Sequence, residues 1–100
     1  MILRFADNLT RLMGLHRLRS KDAARLLKVD PAQMSHWLRG KRQPSAASLL
    51  KISDLFDISA NRMANASFVD LLASECADVA RYARVEVRIR RGLTRLRELK

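Results

Sequence analysis

The sequence predicts an all-α protein, and three observations carry that prediction. Apolar residues recur at spacings of three and four along most of the chain. Aromatic residues make up only 5% of it. Three glycines and two prolines are too few to punctuate a sheet joined by tight turns. One hundred residues that are 48% hydrophobic can form about one domain with a single modest core, and they exclude general disorder.

The first helix is read from Ile2, Phe5, Leu9, Leu12 and Met13 on one face, with Gly14 weakening or ending it. In the second, Ser20 is the expected cap, Asp22 favours the first turn, and Ala23, Ala24, Leu26 and Leu27 face inward. The third has the clearest limits. Asp30 is a good N-cap, Pro31 suits the first helical position, and Gly40 suits a left-handed residue that stops the helix. Met34, Trp37 and Leu38 make its inward stripe, so Gln33, Ser35, His36 and Arg39 point elsewhere. After the basic loop Lys41-Arg42-Gln43-Pro44, Ser45 caps a fourth helix with Leu49, Ile52, Leu55 and Phe56 inside. Ile58-Ser59 then opens a short fifth helix around Met63.

Charge gives the first functional clue. Twenty Lys and Arg against ten Asp and Glu leave a net charge of +10. Both segments of the chain, up to Ser67 and from Phe68 onward, are positive, so this is not a neutral domain with a basic tail. The partner class is a polyanion, either nucleic acid or an acidic membrane surface. No stretch is long and apolar enough for a membrane span, and the start is charged too early for a signal peptide, so a cytoplasmic location is expected. Cys76 is the sole cysteine, expected as a small buried thiol. His16 reads as an ordinary surface residue. No acid pair, Ser-His-Asp grouping, phosphate loop or metal-ligand spacing appears, so neither catalysis nor a metal or cofactor is expected.

Two short helices joined by a tight turn, the second with polar residues outward, are what a reader of the DNA major groove needs. Ala24, Val29, Met34 and the run Trp37-Leu38-Arg39-Gly40-Lys41-Arg42-Gln43-Pro44-Ser45 carry a resemblance to the Cro/C1-type, Xre-like helix-turn-helix regulators. That last run is similar to the family's W-x-x-G-K-x-x-P-S, and the likeness extends from about Phe5 to Ala66. Lys28 departs from it, standing where the family usually has glycine in the turn. The resemblance implies a five-helix, lambda-repressor-like DNA-binding domain over 1–67. It also implies double-stranded DNA as partner. Ala32, Gln33, Ser35 and His36 match positions that face base edges, whereas Ser20, Lys21, Arg39, Lys41 and Arg42 match positions that hold phosphates. Trp37 reads as core rather than as a DNA contact.

The segment 68–100 lies beyond that resemblance and reads as a helical extension. Ser67 and Asp70 mark a helix start. A stripe of Phe68, Leu72, Cys76, Val79, Tyr82, Val85, Ile89, Leu93 and Leu96 keeps helical spacing, opposite Arg81, Arg84, Arg88, Arg91 and Arg95. The preferred division is Phe68–Ala77 and Asp78–Arg91 with a frayed helical tail. The competing reading is a strand through Val85-Glu-Val-Arg-Ile-Arg, and Gly92 is expected to interrupt either element. The stripe is a candidate dimer seam, so the expected function is a repressor that occupies a palindromic operator as a homodimer. The alternatives are an antitoxin whose extension binds a toxin protein, or, for the Arg-rich segment, a membrane surface.

Overall fold

A computed structural model describes residues 2–98, with the side chains of Ile2 and Leu3 outside the description. The expected place of Ile2 in the first stripe therefore lies outside the described residues. Seven helices follow in order, with no strand among the described residues: α1 (Ile2–Leu15), α2 (Ser20–Leu27), α3 (Pro31–Leu38), α4 (Ala46–Phe56), α5 (Ala60–Asn65), α6 (Phe68–Ala73) and α7 (Val79–Glu98). Leu9 and Leu12 of α1 are buried with Met34, Trp37, Ile52, Met63, Leu71 and Ile89, one residue or more from every helix except α2. From α2, Ala23, Ala24 and Leu27 join the same cluster. The expected inward stripes of the first five helices are therefore found, with Leu26, Leu38, Leu49 and Leu55 only partly buried at the edges.

Four of the helices end by one device. The chain turns left-handed at Arg17, Lys28, Gly40 and Asp57, with φ between 51° and 71°. In each case the next amide bonds back five residues, as Leu18 does to Met13 (2.8 Å) and Val29 to Ala24 (2.9 Å). At three of these turns the following residue is apolar: Leu18 and Ile58 enter the core, and Val29 packs against it. Burial of Leu18 also corrects the expected start of α2. With Leu18 committed to the core, the extended Arg19 takes the N-cap position without a side-chain bond and Ser20 becomes the first helical residue. Ser45, Ser59 and Ser67 do cap α4, α5 and α6.

The carboxyl-terminal division is also corrected. α6 stops at Ala73, and α7 begins at Val79 after Asp78 accepts from the Arg81 amide (3.1 Å). The strand alternative fails because Val85 and Ile89 are buried while Val87 is 48% exposed. A strand would set all three on one side. Gly92 does not interrupt α7; it permits the helix to approach α2, since a Cβ there would lie 2.6 Å from Leu26 Cδ2. Helix continues to Glu98 where a frayed tail was expected. Of the long apolar stripe, Val85 and Ile89 are buried in the chain's own core, with Phe68, Cys76 and Leu93 packed against it. Leu72 and Val79 of that stripe stay exposed, and Leu71 is buried instead.

Polar contacts over long separations lock this arrangement. The Asn8 Nδ2 donates to the carbonyls of Met63 and Ala66, both at 2.9 Å, satisfying acceptors that the end of α5 leaves open. His16 is buried at 4% exposure, not on the surface as expected. Its ring stacks on Tyr82 at 4.5 Å, and its Nδ1 meets Glu86 Oε1 at 2.8 Å. Tyr82 and Arg90 donate to the carbonyls of Leu15 and His16, so α7 caps the end of α1. The His16 hydrogen bond, then that from Arg90, holds the Glu86 carboxyl below the usual range. Arg62 grips Glu75 with two parallel bonds of 2.9 Å, tying α5 to the turn after α6.

That fork lowers the Glu75 carboxyl to about 2 despite its desolvation. A carboxylate whose folded value is depressed stabilises the fold above its unfolded value, and the contribution fades as pH falls from about 4.3 toward about 2. Urea denaturation followed at descending pH is expected to show wild-type stability falling more steeply over that window than Glu75→Gln. Parallel curves for the two proteins would contradict the role given to the fork.

Candidate nucleic-acid interface

An eight-residue helix is marginal alone, so α3 depends on what holds its two ends and its inner face. At the start, Asp30 Oδ1 accepts from the Ala32 amide at 2.7 Å, and Pro31 occupies a position where a missing N–H costs nothing. At the finish, Gly40 turns left-handed and Lys41 N donates to the His36 carbonyl at 2.9 Å. Met34 and Trp37 are 0% and 1% exposed, so the inner face is fixed. Trp37 is thereby core, as the sequence indicated.

With about 100° per residue, the direction opposite Met34 and Trp37 falls beside Ala32, with Ser35 and His36 each about 50° to either side and Gln33 about 110° away, at the edge of the face. Ala32 and Gln33 are exposed, and Ser35 and His36 are half-buried. All four expected base-facing residues are therefore accessible on α3, with Ala32, Ser35 and His36 clustered about the outward direction and Gln33 exposed at its edge. The helix ends at Leu38, one residue earlier than the 31–39 expected; Arg39 follows as the C-cap and is exposed together with Lys41 and Arg42 in the loop leading to α4.

The other expected phosphate-holding residues lie on α2. Ser20 and Lys21 are exposed in its first turn, where no side chain caps the free amides. Such amides, with the partial positive charge of a helix start, favour an anion. Among the described residues Lys21, Arg39, Lys41 and Arg42 have no ion-pair partner, whereas Arg62 and Arg90 are committed to Glu75 and Glu86. The cations before and after α3 are thus available, and many of those elsewhere are spent on structure.

Chemically, the surface offers one amide side chain, one imidazole, one hydroxyl and a methyl group between cations. That inventory suits hydrogen bonding to base edges and attraction to phosphates. Sequence reasoning missed the polar residues that tie the helices of the core together: Asn8, His16 and the Arg62–Glu75 pair. Their partners lie 13 to 70 residues away, so no local pattern announces them.

The helix-turn-helix family model HTH_3 matches residues 11–62, just over half of the chain and every element that builds this surface. The chain belongs to that family, the Cro/C1-type, Xre-like helix-turn-helix proteins. It is a DNA-binding transcriptional regulator. No curated protein and no solved structure matches it. Among the described residues, no helix is long and apolar enough to cross a membrane.

Lys28 closes the turn between α2 and α3 at φ 58°, ψ 47°. A non-glycine residue pays about 1–2 kcal/mol for that conformation, and glycine escapes most of it. Lys28→Gly is therefore expected to raise stability by about 1 kcal/mol in chemical denaturation. A decrease would mean that the lysine side chain contributes more than its backbone strain removes.

Proposed function

We propose that this regulator is a repressor that reads a palindromic operator as a homodimer. Ala32, Gln33, Ser35 and His36 make the base contacts. Gln33 pairs with an adenine edge, Ala32 packs on a thymine methyl, and His36 donates to guanine or phosphate. Ser20, Lys21, Arg39, Lys41 and Arg42 grip the flanking phosphates and set the register. The observation that carries the reading is the outward polar face of α3, pinned from behind by Met34 and Trp37 and bracketed by unpaired cations.

Dimerisation draws on what the core leaves over. Val69, Leu72 and Val79 are 73%, 43% and 81% exposed, a short apolar patch near the α6–α7 corner. Reading a palindrome requires a dimer joined there to hold its two α3 helices about 34 Å apart. The antitoxin alternative is less favoured, because Val85, Ile89 and Leu93 already serve the chain's own core and are not offered to a toxin. Repression follows from occupying promoter DNA, and the cytoplasm is the expected place of action.

Selection of bound sites from random duplexes tests this directly. The expected product is a symmetric site, and equal recovery of all duplexes would reject the assignment. On the selected site, Gln33→Ala should cost about 1–3 kcal/mol and relax preference at one base position. Equal losses on specific and nonspecific duplex would remove its base-reading role. Lys41→Ala should weaken both duplexes alike and lower the salt slope of binding by about one. An unchanged slope would take Lys41 off the phosphate backbone.

A further inference from the structure

Away from the DNA-facing surface, α7 carries a row of arginines beside an apolar groove. Arg84, Arg88, Arg91 and Arg95 follow at spacings of four, three and four, so they stack along one side of the helix. They border an open groove of about 730 Å³ whose apolar floor includes Leu26 of α2, Leu55 of α4 and Val87. No acidic side chain lines it. Arg84 reaches Asp57 at 3.3 Å, and Arg88 donates to the carbonyls of Asp54 and Leu55. Arg91 and Arg95 meet no acid among the described residues. Like charges in adjacent turns oppose helix formation, a cost the isolated chain leaves largely uncompensated.

Position and composition select the occupant. The cations assigned to DNA lie at the amino-terminal end of α2 and in the loop before α4, whereas the groove lies at the carboxyl-terminal ends of both helices. Leu26 is about 9 Å along α2 from Ser20, and Leu55 is about 15 Å along α4 from Ser45. Phosphates gain nothing from an apolar floor. A second copy has few acids to offer the arginine row, because Asp57, Glu75 and Glu86 are already paired within the chain. An acidic segment with apolar side chains satisfies both the rim and the floor. From Arg84 to Arg95 the row measures about 16 Å, the length of a three-turn helix.

We propose that this groove docks an acidic amphipathic helix of a partner protein, with its carboxylates on the arginine row and its apolar side chains on Leu26, Leu55 and Val87. The site is independent of the α3 reading. It gives the regulator a second, protein-directed surface that stays open when α3 is on DNA.

The test uses the full chain and a labelled synthetic peptide of about three helical turns, with leucines on one face and glutamates elsewhere. A control peptide replaces the leucines with serines and keeps every glutamate. By fluorescence anisotropy, the leucine peptide is expected to bind at least about tenfold more tightly than the control. Arg91→Glu combined with Arg95→Glu should weaken it at least about tenfold, and Val87→Ser about threefold. Circular dichroism verifies that both proteins fold, and both should keep the wild type's preference for the selected duplex over random duplex, although the four charge units lost in the double variant lower its affinity for both. Equal affinity for the two peptides would reduce the row to a nonspecific polyanion site and overturn the proposal. Displacement of the peptide by duplex would assign the row to DNA and overturn it equally.

Discussion

Burial of Met34 and Trp37 is the constraint on which the rest of this molecule depends. A two-turn helix has too few internal hydrogen bonds to persist alone, so its orientation comes from the packing beneath it. Those two side chains set the rotation of α3, and rotation decides which side chains leave the surface. Had the stripe slipped by one position, the fully polar heads of Gln33 and His36 would enter the apolar core in place of Met34 and Trp37. The Asp30 cap and the Gly40 turn then fix where the surface begins and ends.

α7 supports that arrangement from a distance. It buries Val85 and Ile89 in the common core and bonds the last carbonyls of α1 through Tyr82 and Arg90. α1 in turn packs against α3, so a helix beyond the family match helps to hold the DNA-facing element. The buried His16, stacked on Tyr82 and bonded to Glu86, is the joint between the two ends of the chain. A polar contact of this kind is costly if left half-made, and here the Nδ1 of the ring is met by Glu86 while its face is covered by Tyr82.

How much of this was legible in the sequence depended on how local the cause was. Asp30-Pro31, Ser45, Ser59 and Ser67 act on amides two or three residues ahead, and all four behave as their types predict. The stripes of α1 to α5 were legible for the same reason. Ser20 misled because burial of Leu18, a tertiary matter, pushed the cap back to Arg19. Gly92 misled because its missing Cβ serves contact with Leu26, which is 66 residues earlier in the chain. The period-two pattern from Val85 to Arg90 was ambiguous until the core selected Val85 and Ile89 and rejected Val87. The members of the candidate site were readable as outward positions on a well-bounded helix. The polar groups tying the core helices together, Asn8 and His16 above all, were not, because a lone polar residue among leucines looks the same whether it faces water or a carbonyl across the core.

Trp37 is the only tryptophan in the chain, and its indole sits shielded behind α3 while the duplex-facing side chains point the other way. The molecule therefore carries a built-in optical gauge of whether that helix is seated. Its ultraviolet emission belongs to an indole screened from water as long as the packing holds, and shifts to longer wavelength when the helix lifts. A bound ligand on the far side leaves the ring untouched, so loss of structure and occupancy of the surface can be followed as separate signals in one sample.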